Sequence, residues 1–298
     1  MRYYTFNEFL KKKYGGKVWK IPVDAGFTCP NRDGTKGFGG CTYCNVSSFS
    51  KISTNEIKKQ ILDKMIKLER RKISKFIVYF QSYSNTHAPI NIIKKKLESA
   101  LIDSRIVALY VGTRPDCIDE EKLEYLKNIN KKIDIVIEYG LQTIHNSTLQ
   151  KINRASTFEE FDNALKLTRK YEIPVCAHII LGLPGENENM MYETVKYLAK
   201  EKIDFIKFHH LHIIKNTKMY IEYQKGEINL LTENQYIKIL AHSLSFLPKN
   251  TVIARVVGDA PDDLLVAPKW PTSKSDFLKK LDNYMKINNL FQGKFKQC

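Results

Sequence analysis

Three cysteines in one glycine-rich segment are the residues of this chain best suited to chemistry. Cys29, Cys41 and Cys44 lie within residues 29–44, and four glycines separate the first two of them. A closed structural zinc site takes four ligands, and an ordinary iron–sulfur cluster takes four cysteines. Three thiols with no fourth nearby therefore predict a cluster that has one iron open to another molecule. Glycines suit such a loop because backbone N–H groups must approach the cluster closely.

Other interpretations of these thiols are weaker. Cys41 and Cys44 alone are also typical of half a zinc knuckle or of a redox pair. A zinc deaminase is disfavoured because Gly40, not proline, precedes Cys41 and no His-x-Glu signature occurs. A thioredoxin-like dithiol has no use for a third cysteine twelve positions upstream. The remaining cysteines are too scattered to frame a second cluster, and we expect buried or incidental thiols at Cys117, Cys176 and Cys298.

Charge and composition indicate the kind of partner. The 298-residue chain has a net charge of +16, and residues 1–75 hold 17 Lys/Arg against 6 Asp/Glu, which places +11 in the first quarter. This excess predicts a polyanion such as a nucleic acid, although a solvated charged face is the alternative. The sequence has no apolar run of membrane-spanning length and no secretion-type leader, and its six cysteines are few. We expect a cytoplasmic protein with no membrane partner.

Strand-like and helix-like segments alternate along the chain. Short β-branched or aromatic runs occupy residues 76–80, 106–111, 133–137, 175–181 and 205–208, and helical patterns occupy 55–71, 90–102, 120–130, 158–171 and 189–200. Repeated β-α units predict a parallel sheet covered by helices. About six units without a dinucleotide fingerprint favour an α/β fold of the partial (β/α)6 barrel type over a doubly wound sheet.

The chain divides into three predicted parts. Residues 1–20 form a basic N-terminal segment, residues 21–230 form the barrel core with the cysteine loop at 29–44, and residues 231–298 form a short C-terminal α/β extension. That extension contains a helical pattern at 232–247, a strand-like run at 252–255 and a basic tail with six lysines against two aspartates from residue 274 onward.

Polar residues cluster where the predicted strands end. Functional groups of such barrels lie at the carboxyl ends of the strands, and mixed carboxylate, amide and hydroxyl groups suit an amphiphilic cofactor. Singly, each could also cap a helix or satisfy a turn. Three histidines follow the 205–208 strand, and RNA contacts or packing are favoured there over a second metal site. The strand-end candidates are Gln81, Ser82, Thr113, Glu138, Gln142 and His178.

These features resemble the radical S-adenosylmethionine (SAM) superfamily, in the branch related to the Elongator catalytic subunit. The eleven residues between the first two cysteines, instead of the usual three, are similar to that branch, as are the motifs at 112–117, 138–143 and 181–186. The resemblance extends from residues 17–24 to residues 255–261. It is strongest to the stand-alone bacterial MnmL-type proteins that modify tRNA.

The resemblance implies a role for each candidate residue. Cys29, Cys41 and Cys44 would hold a [4Fe-4S] cluster, with SAM on the fourth iron. The backbone of Tyr43 would contact adenine. Gln142 and Arg154 match residues that relatives use on the ribose and on the methionine carboxylate. Four positions depart from the family pattern. Gln81 and Ser82 replace a Gly-Gly-Glu motif, and Gly112, before Thr113, replaces a glutamate. His178 replaces a ribose-binding aspartate, and Glu138 is the expected substitute for that aspartate.

The implied activity is SAM cleavage by the reduced cluster, followed by hydrogen abstraction from tRNA. The expected reaction converts a carboxymethylaminomethyl group on the wobble uridine to aminomethyl, with electrons from a reductant protein such as flavodoxin or ferredoxin. The segment after residue 230 is too short for an acetyltransferase domain, so we do not expect acetyl transfer. The alternatives are a radical SAM enzyme for a small molecule and a non-catalytic zinc- or cluster-bearing RNA-binding protein.

Overall fold

A curled parallel sheet of seven strands forms the centre of the molecule. The computed structural model describes residues 1–48, 53, 55–69, 71 and 73–295. The strands follow the order β1-β2-β3-β4-β5-β6-β8, and each pairs in parallel with its neighbour. Their bounds are Val18–Val23 (β1), Lys75–Phe80 (β2), Ile106–Thr113 (β3), Asp134–Gln142 (β4), Val175–Leu181 (β5), Phe205–His210 (β6) and Val252–Arg255 (β8). A small antiparallel pair joins Ile213–Ile214 (β7) and Leu265–Ala267 (β9).

Helices connect successive strands and cover the sheet. Several begin at a capping box, in which Thr157 or Thr232 accepts a backbone N–H and a Glu or Gln three positions later bonds back. Apolar residues at helical spacing then face the sheet and are buried. The helices span Phe6–Tyr14 (α1), Ile57–Glu69 (α2), Ile90–Glu98 (α3), Glu120–Asn130 (α4), Asn146–Lys151 (α5), Phe158–Lys170 (α6), Glu188–Lys200 (α7), Lys218–Gln224 (α8), Glu233–Phe246 (α9) and Lys274–Ile287 (α10).

The predicted partial barrel is confirmed, with two additions to the strands. Strand β1 was not predicted, because Lys20 and Pro22 interrupt its apolar pattern. Proline is tolerated there because β1 is an edge strand. At the other edge, β8 comes from the region predicted as the C-terminal extension and pairs with β6, so that region completes the same sheet.

Helix α1 closes the end of the barrel where the strands begin. The ring of Phe9 packs edge-on against Phe205 with centroids 5.0 Å apart, and Phe6 packs against Tyr110 at 6.0 Å. The hydroxyl of Tyr14 donates to the carboxylate of Asp134, the first residue of β4, at 2.7 Å. This end is therefore filled, and the carboxyl ends of the strands are left to form a site. Within the described part of the chain, no helix has the length and apolar character needed to cross a membrane.

Candidate cofactor and substrate cavity

A cavity of about 270 Å³ opens at the carboxyl ends of the strands. The side chain of Ser82 is buried outside its lining, and the Ser82 carbonyl accepts a hydrogen bond from Asn85 at 3.1 Å. Every other residue predicted for the site lines the cavity: Cys29, Cys41, Tyr43, Cys44, Gln81, Thr113, Glu138, Gln142, Arg154 and His178.

The cysteine loop is held in place by hydrogen bonds to the segment after α5. Thr42 donates its N–H to the carbonyl of Ile152 at 2.9 Å, and the Asn153 side chain donates to the carbonyl of Gly40 at 2.9 Å. Gly40 has a φ of +79°, and a Cβ there would lie 2.7 Å from Nε of Arg32. The Arg32 guanidinium in turn donates to the carbonyl of Cys44. Glycine at this position therefore lets the loop close around the thiols.

The spacing of the three thiols matters for the kind of metal group they suit. All three cysteines are free of disulfides. A single tetrahedral zinc with Zn–S bonds of about 2.3 Å would draw its sulfurs to about 3.8 Å from one another. Among the described residues, the one set of three metal-ligating side chains whose donor atoms all lie within 4.8 Å is Glu138, Cys176 and His178. The three loop thiols are spread more widely than a single zinc ion would need.

Arg154 provides a buried positive charge beside the thiols. It is 5 % exposed, its Nη1 lies 3.9 Å from Sγ of Cys41, and its Nη2 donates to the carbonyl of Gly140 at 2.6 Å. Its Nε has no partner among the described residues. A buried cation calls for negative charge nearby, which thiolates bound to iron would supply. The donor set and this cation therefore fit an iron–sulfur cluster.

Burial and charge set the protonation of the Cys44 thiol. Burial raises its pKa to about 11, and Cys41 adds to the rise, whereas Arg32 opposes it. Metal ligation by thiolate must therefore displace a proton from Cys44, which makes metal affinity depend on pH.

A cluster of buried ions forms the floor of the cavity. Lys20 contacts Oε1 of Glu138 at 3.1 Å, and Oε2 of Glu138 contacts both Nζ of Lys207 and Nε2 of His178, the latter at 2.8 Å. Burial alone would raise the pKa of Glu138, but the charges of Lys20 and Lys207 and the bond to His178 hold that pKa well below its usual range. Burial lowers the pKa of His178 to about 4, so its imidazole is neutral near pH 7 and donates to the carboxylate.

This arrangement limits what the floor can bind. The two lysine ammonium groups already contact the Glu138 carboxylate, so the Glu138, Cys176 and His178 set is a poor cation site despite its close spacing. Both Glu138 oxygens are engaged with protein groups, whereas the sequence predicted this carboxylate as a ribose contact. Cys117 and Cys176 are buried, as predicted, and Cys298 lies outside the described residues.

The histidines at the end of β6 and just after it pack against one another and against an aromatic ring. The Nε2 atoms of His210 and His212 are 2.7 Å apart, and His210 stacks on Trp270 with centroids 4.2 Å apart. Burial lowers the pKa of His212 to about 4 and the pKa of His210 to about 2. Neutral imidazoles that bond to each other agree with packing, which is one of the two roles predicted for these histidines beside RNA contacts.

Three cations reach the site in addition to the residues predicted for it: Lys20, Lys207 and Arg255. Lys207 and Arg255 line the cavity, and Lys20 reaches it through Glu138. The signal that could have found them was a single Lys or Arg in each of three short strands whose other residues are apolar, aromatic or histidine. Lysine is almost never fully buried without a partner, so such positions indicate a buried ion pair.

Comparison with known proteins agrees with this geometry. The radical SAM superfamily pattern matches residues 29–198, and a radical SAM C-terminal domain pattern matches residues 203–287. The Bacillus subtilis protein YtqA is 37 % identical over 300 residues, which cover 99 % of this chain and 93 % of YtqA. A tRNA uridine(34) acetyltransferase from Methanocaldococcus jannaschii is 28 % identical over 167 residues, 55 % of this chain and 30 % of that enzyme.

A solved structure supports the fold assignment. The archaeal Elp3 of Methanocaldococcus infernus, with its N-terminus deleted, superposes with a TM-score of 0.71 at 19 % identity. The match covers 92 % of this chain and 63 % of that one, so this chain spans less than two thirds of the Elp3 chain. The predicted relation to the Elongator branch is confirmed at the level of fold, and the matched family pattern includes the three thiols. The chain belongs to the radical SAM superfamily.

Proposed function

We propose that this protein is a radical SAM enzyme that modifies tRNA. The observation that carries the proposal is the set of three free thiols that line a cavity, with the buried cation of Arg154 beside Cys41. In this proposal Cys29, Cys41 and Cys44 hold a [4Fe-4S] cluster. With SAM and an electron from a reductant protein such as flavodoxin or ferredoxin, the cluster supplies reductive cleavage of the sulfonium and hence a radical that abstracts hydrogen.

The remaining residues of the cavity would orient SAM and exclude water. Arg154 would pair with the methionine carboxylate, and Gln142, whose φ is +72° at an irregular end of β4, would contact the ribose. The Tyr43 backbone would lie against adenine. Gln81 and Thr113 also face the cavity, and Thr113 is held by a 2.6 Å bond to Thr86. Ser82, behind this surface, would act by holding its loop, and His178 and Glu138 would form the polar floor.

The tRNA part of the proposal is supported by charge and by one relative. The chain carries +16, and the M. jannaschii relative is a tRNA uridine(34) acetyltransferase. We propose the wobble-uridine side chain as the target, with conversion of carboxymethylaminomethyl to aminomethyl as the reaction, in the manner of MnmL-type proteins.

The test is mass spectrometry of tRNA nucleosides from a strain that lacks the gene. We expect the aminomethyl nucleoside to fall and the carboxymethylaminomethyl nucleoside to accumulate. The wild-type gene should restore the normal pattern, whereas a Cys41→Ala gene should not. An unchanged set of wobble uridines in the deletion strain would refute the tRNA assignment.

A further inference from the structure

Arg255 is a cavity cation whose charge is not matched by the protein. It is the last residue of β8, is half-buried and lines the cavity. Among the described residues, none accepts a hydrogen bond from its guanidinium or forms an ion pair with it. The other cavity cations differ: Arg114 forms a two-bond pair with Asp116 at 2.9 and 2.8 Å, and Arg154 bonds to Gly140.

The sheet register places Arg255 in a row of cavity-lining residues. Gly140 is paired with His178, His178 with Lys207, and Lys207 with Arg255 across strands β4, β5, β6 and β8. Residues in register on parallel strands share a face of the sheet, and all four line the cavity. The thiol loop follows β1, the other edge strand. Arg255 therefore lies on the edge strand opposite the one that leads into the cysteine loop with the three proposed cluster ligands.

The groups around Arg255 carry more positive than negative charge. On the floor, the single carboxylate of Glu138 faces the ammonium groups of Lys20 and Lys207. Asp259 at the rim is engaged by Lys274 at 2.6 Å. Burial lowers the pKa of His209 far below its usual range, and the charge of Arg255 adds to that effect. An unpaired cation in a confined, partly desolvated site is best satisfied by an anionic ligand.

We propose that Arg255 binds the carboxylate of the substrate, carried on a substituent of the nucleobase. This inference rests on the proposed function and specifies how that site selects its substrate. A guanidinium presents two parallel donors that match a carboxylate. The same chemistry could serve a backbone phosphate, but a cavity of about 270 Å³ leaves little room for a sugar–phosphate chain beside a cofactor. A slender side chain ending in a carboxylate suits this cavity better.

The test compares two RNAs and several protein variants. Two anticodon stem-loops would carry either a carboxymethylaminomethyl or a methylaminomethyl group on the wobble uridine, so that they differ in the carboxylate. Binding to the cluster-loaded protein with SAM and no reductant would be measured by fluorescence anisotropy. We expect the wild type to prefer the carboxylate RNA about tenfold or more. Arg255→Gln should abolish that preference while affinity for the other RNA stays within about twofold, and Arg255→Lys should retain part of it.

A matched control removes one arginine charge elsewhere. Arg105 lies just before β3, at the closed end of the barrel, so Arg105→Gln should leave the preference unchanged.

Two results would overturn the proposal. Equal weakening of both RNAs by Arg255→Gln would assign Arg255 to a phosphate, and loss of SAM binding would assign it to the cofactor. If both RNAs bind the wild type equally, carboxylate recognition is wrong while the tRNA function stands. If neither binds better than an unrelated stem-loop, the tRNA function itself fails.

Discussion

The three loop thiols differ from the other described cysteines in their surroundings. Cys29, Cys41 and Cys44 line the cavity, whereas Cys117 and Cys176 are buried outside its lining. A thiol in a close-packed interior, away from the cavity, has no space beside it for a cluster.

We therefore expect anaerobically reconstituted protein to hold about four irons per chain. Replacement of any one loop cysteine by alanine should abolish iron binding, because those thiolates are the soft ligands of the loop. Iron and sulfide assays with visible absorption provide the measurement. Cys117→Ala and Cys176→Ala are the controls and should retain the iron. Stoichiometric zinc without iron in the wild type would favour the RNA-binding alternative.

The buried carboxylate of Glu138 yields a prediction about stability. It is 1 % exposed and compensates the charges of Lys20 and Lys207. Glu138→Gln would leave the buried ammonium group of Lys207 and the half-buried one of Lys20 without an anion, so we expect a loss of about 3–5 kcal/mol in the free energy of unfolding, measured by urea titration. The double variant Glu138→Gln/Lys207→Met removes one of those charges and should recover part of the loss. A loss below about 1 kcal/mol in the single variant would mean that water compensates the lysines.

At the scale of elements, the end of β4 sets the position of two proposed SAM contacts. A Cβ on Gly140 would lie 2.8 Å from Nε2 of Gln142 and 3.0 Å from Nη2 of Arg154. Gly140→Ala should displace both side chains and reduce SAM affinity about tenfold, the effect of removing one charge-assisted hydrogen bond, while the iron content stays the same. Isothermal titration with SAM measures the change.

Gly16→Ala is the matched control for that substitution. Gly16 lies between α1 and β1, and a Cβ there meets no atom within 4 Å. SAM affinity should therefore be unchanged in this variant. If Gly140→Ala also binds SAM normally, Gln142 and Arg154 do not position the cofactor in the way proposed.

The elements that the sequence predicted well are those whose signals are local. Alternating strands and helices predicted a parallel barrel, and a parallel barrel brings the polar residues at its strand ends to one rim. Of the six strand-end residues predicted for the site, all but Ser82 line the cavity. Strand β1 has no clear local pattern because its Lys20 is stabilised by tertiary contacts, including the ring of Tyr110 at 4.0 Å. The ion pair of Lys207 with Glu138, and the position of Arg255 in register with Lys207, depend on pairing between strands distant in sequence, which no local pattern encodes.

At the scale of the whole molecule, basic residues lie at two opposite ends. Helix α1 sits where the strands begin, and Lys13 pairs with Asp134 there at 2.7 Å. The cavity opens at the other end. Lys215 and Lys218 are exposed. They lie near the cavity, because the Lys215 carbonyl accepts a hydrogen bond at 3.1 Å from Asn45, the residue that follows Cys44. A tRNA whose wobble base enters the cavity would meet these two lysines before it met the N-terminal ones.

The last prediction tests which end binds tRNA. Lys215→Glu/Lys218→Glu should weaken tRNA binding and make the slope of log affinity against log salt less steep, by about one for each phosphate that the protein no longer neutralises. Lys11→Glu/Lys12→Glu changes the net charge by the same amount on the exposed face of α1 and should alter affinity and slope much less. Filter binding between 50 and 200 mM salt gives both quantities. Equal losses of affinity in the two double variants would indicate attraction of a polyanion to the net charge as a whole, because an RNA docked at the cavity mouth cannot contact both ends of the barrel equally.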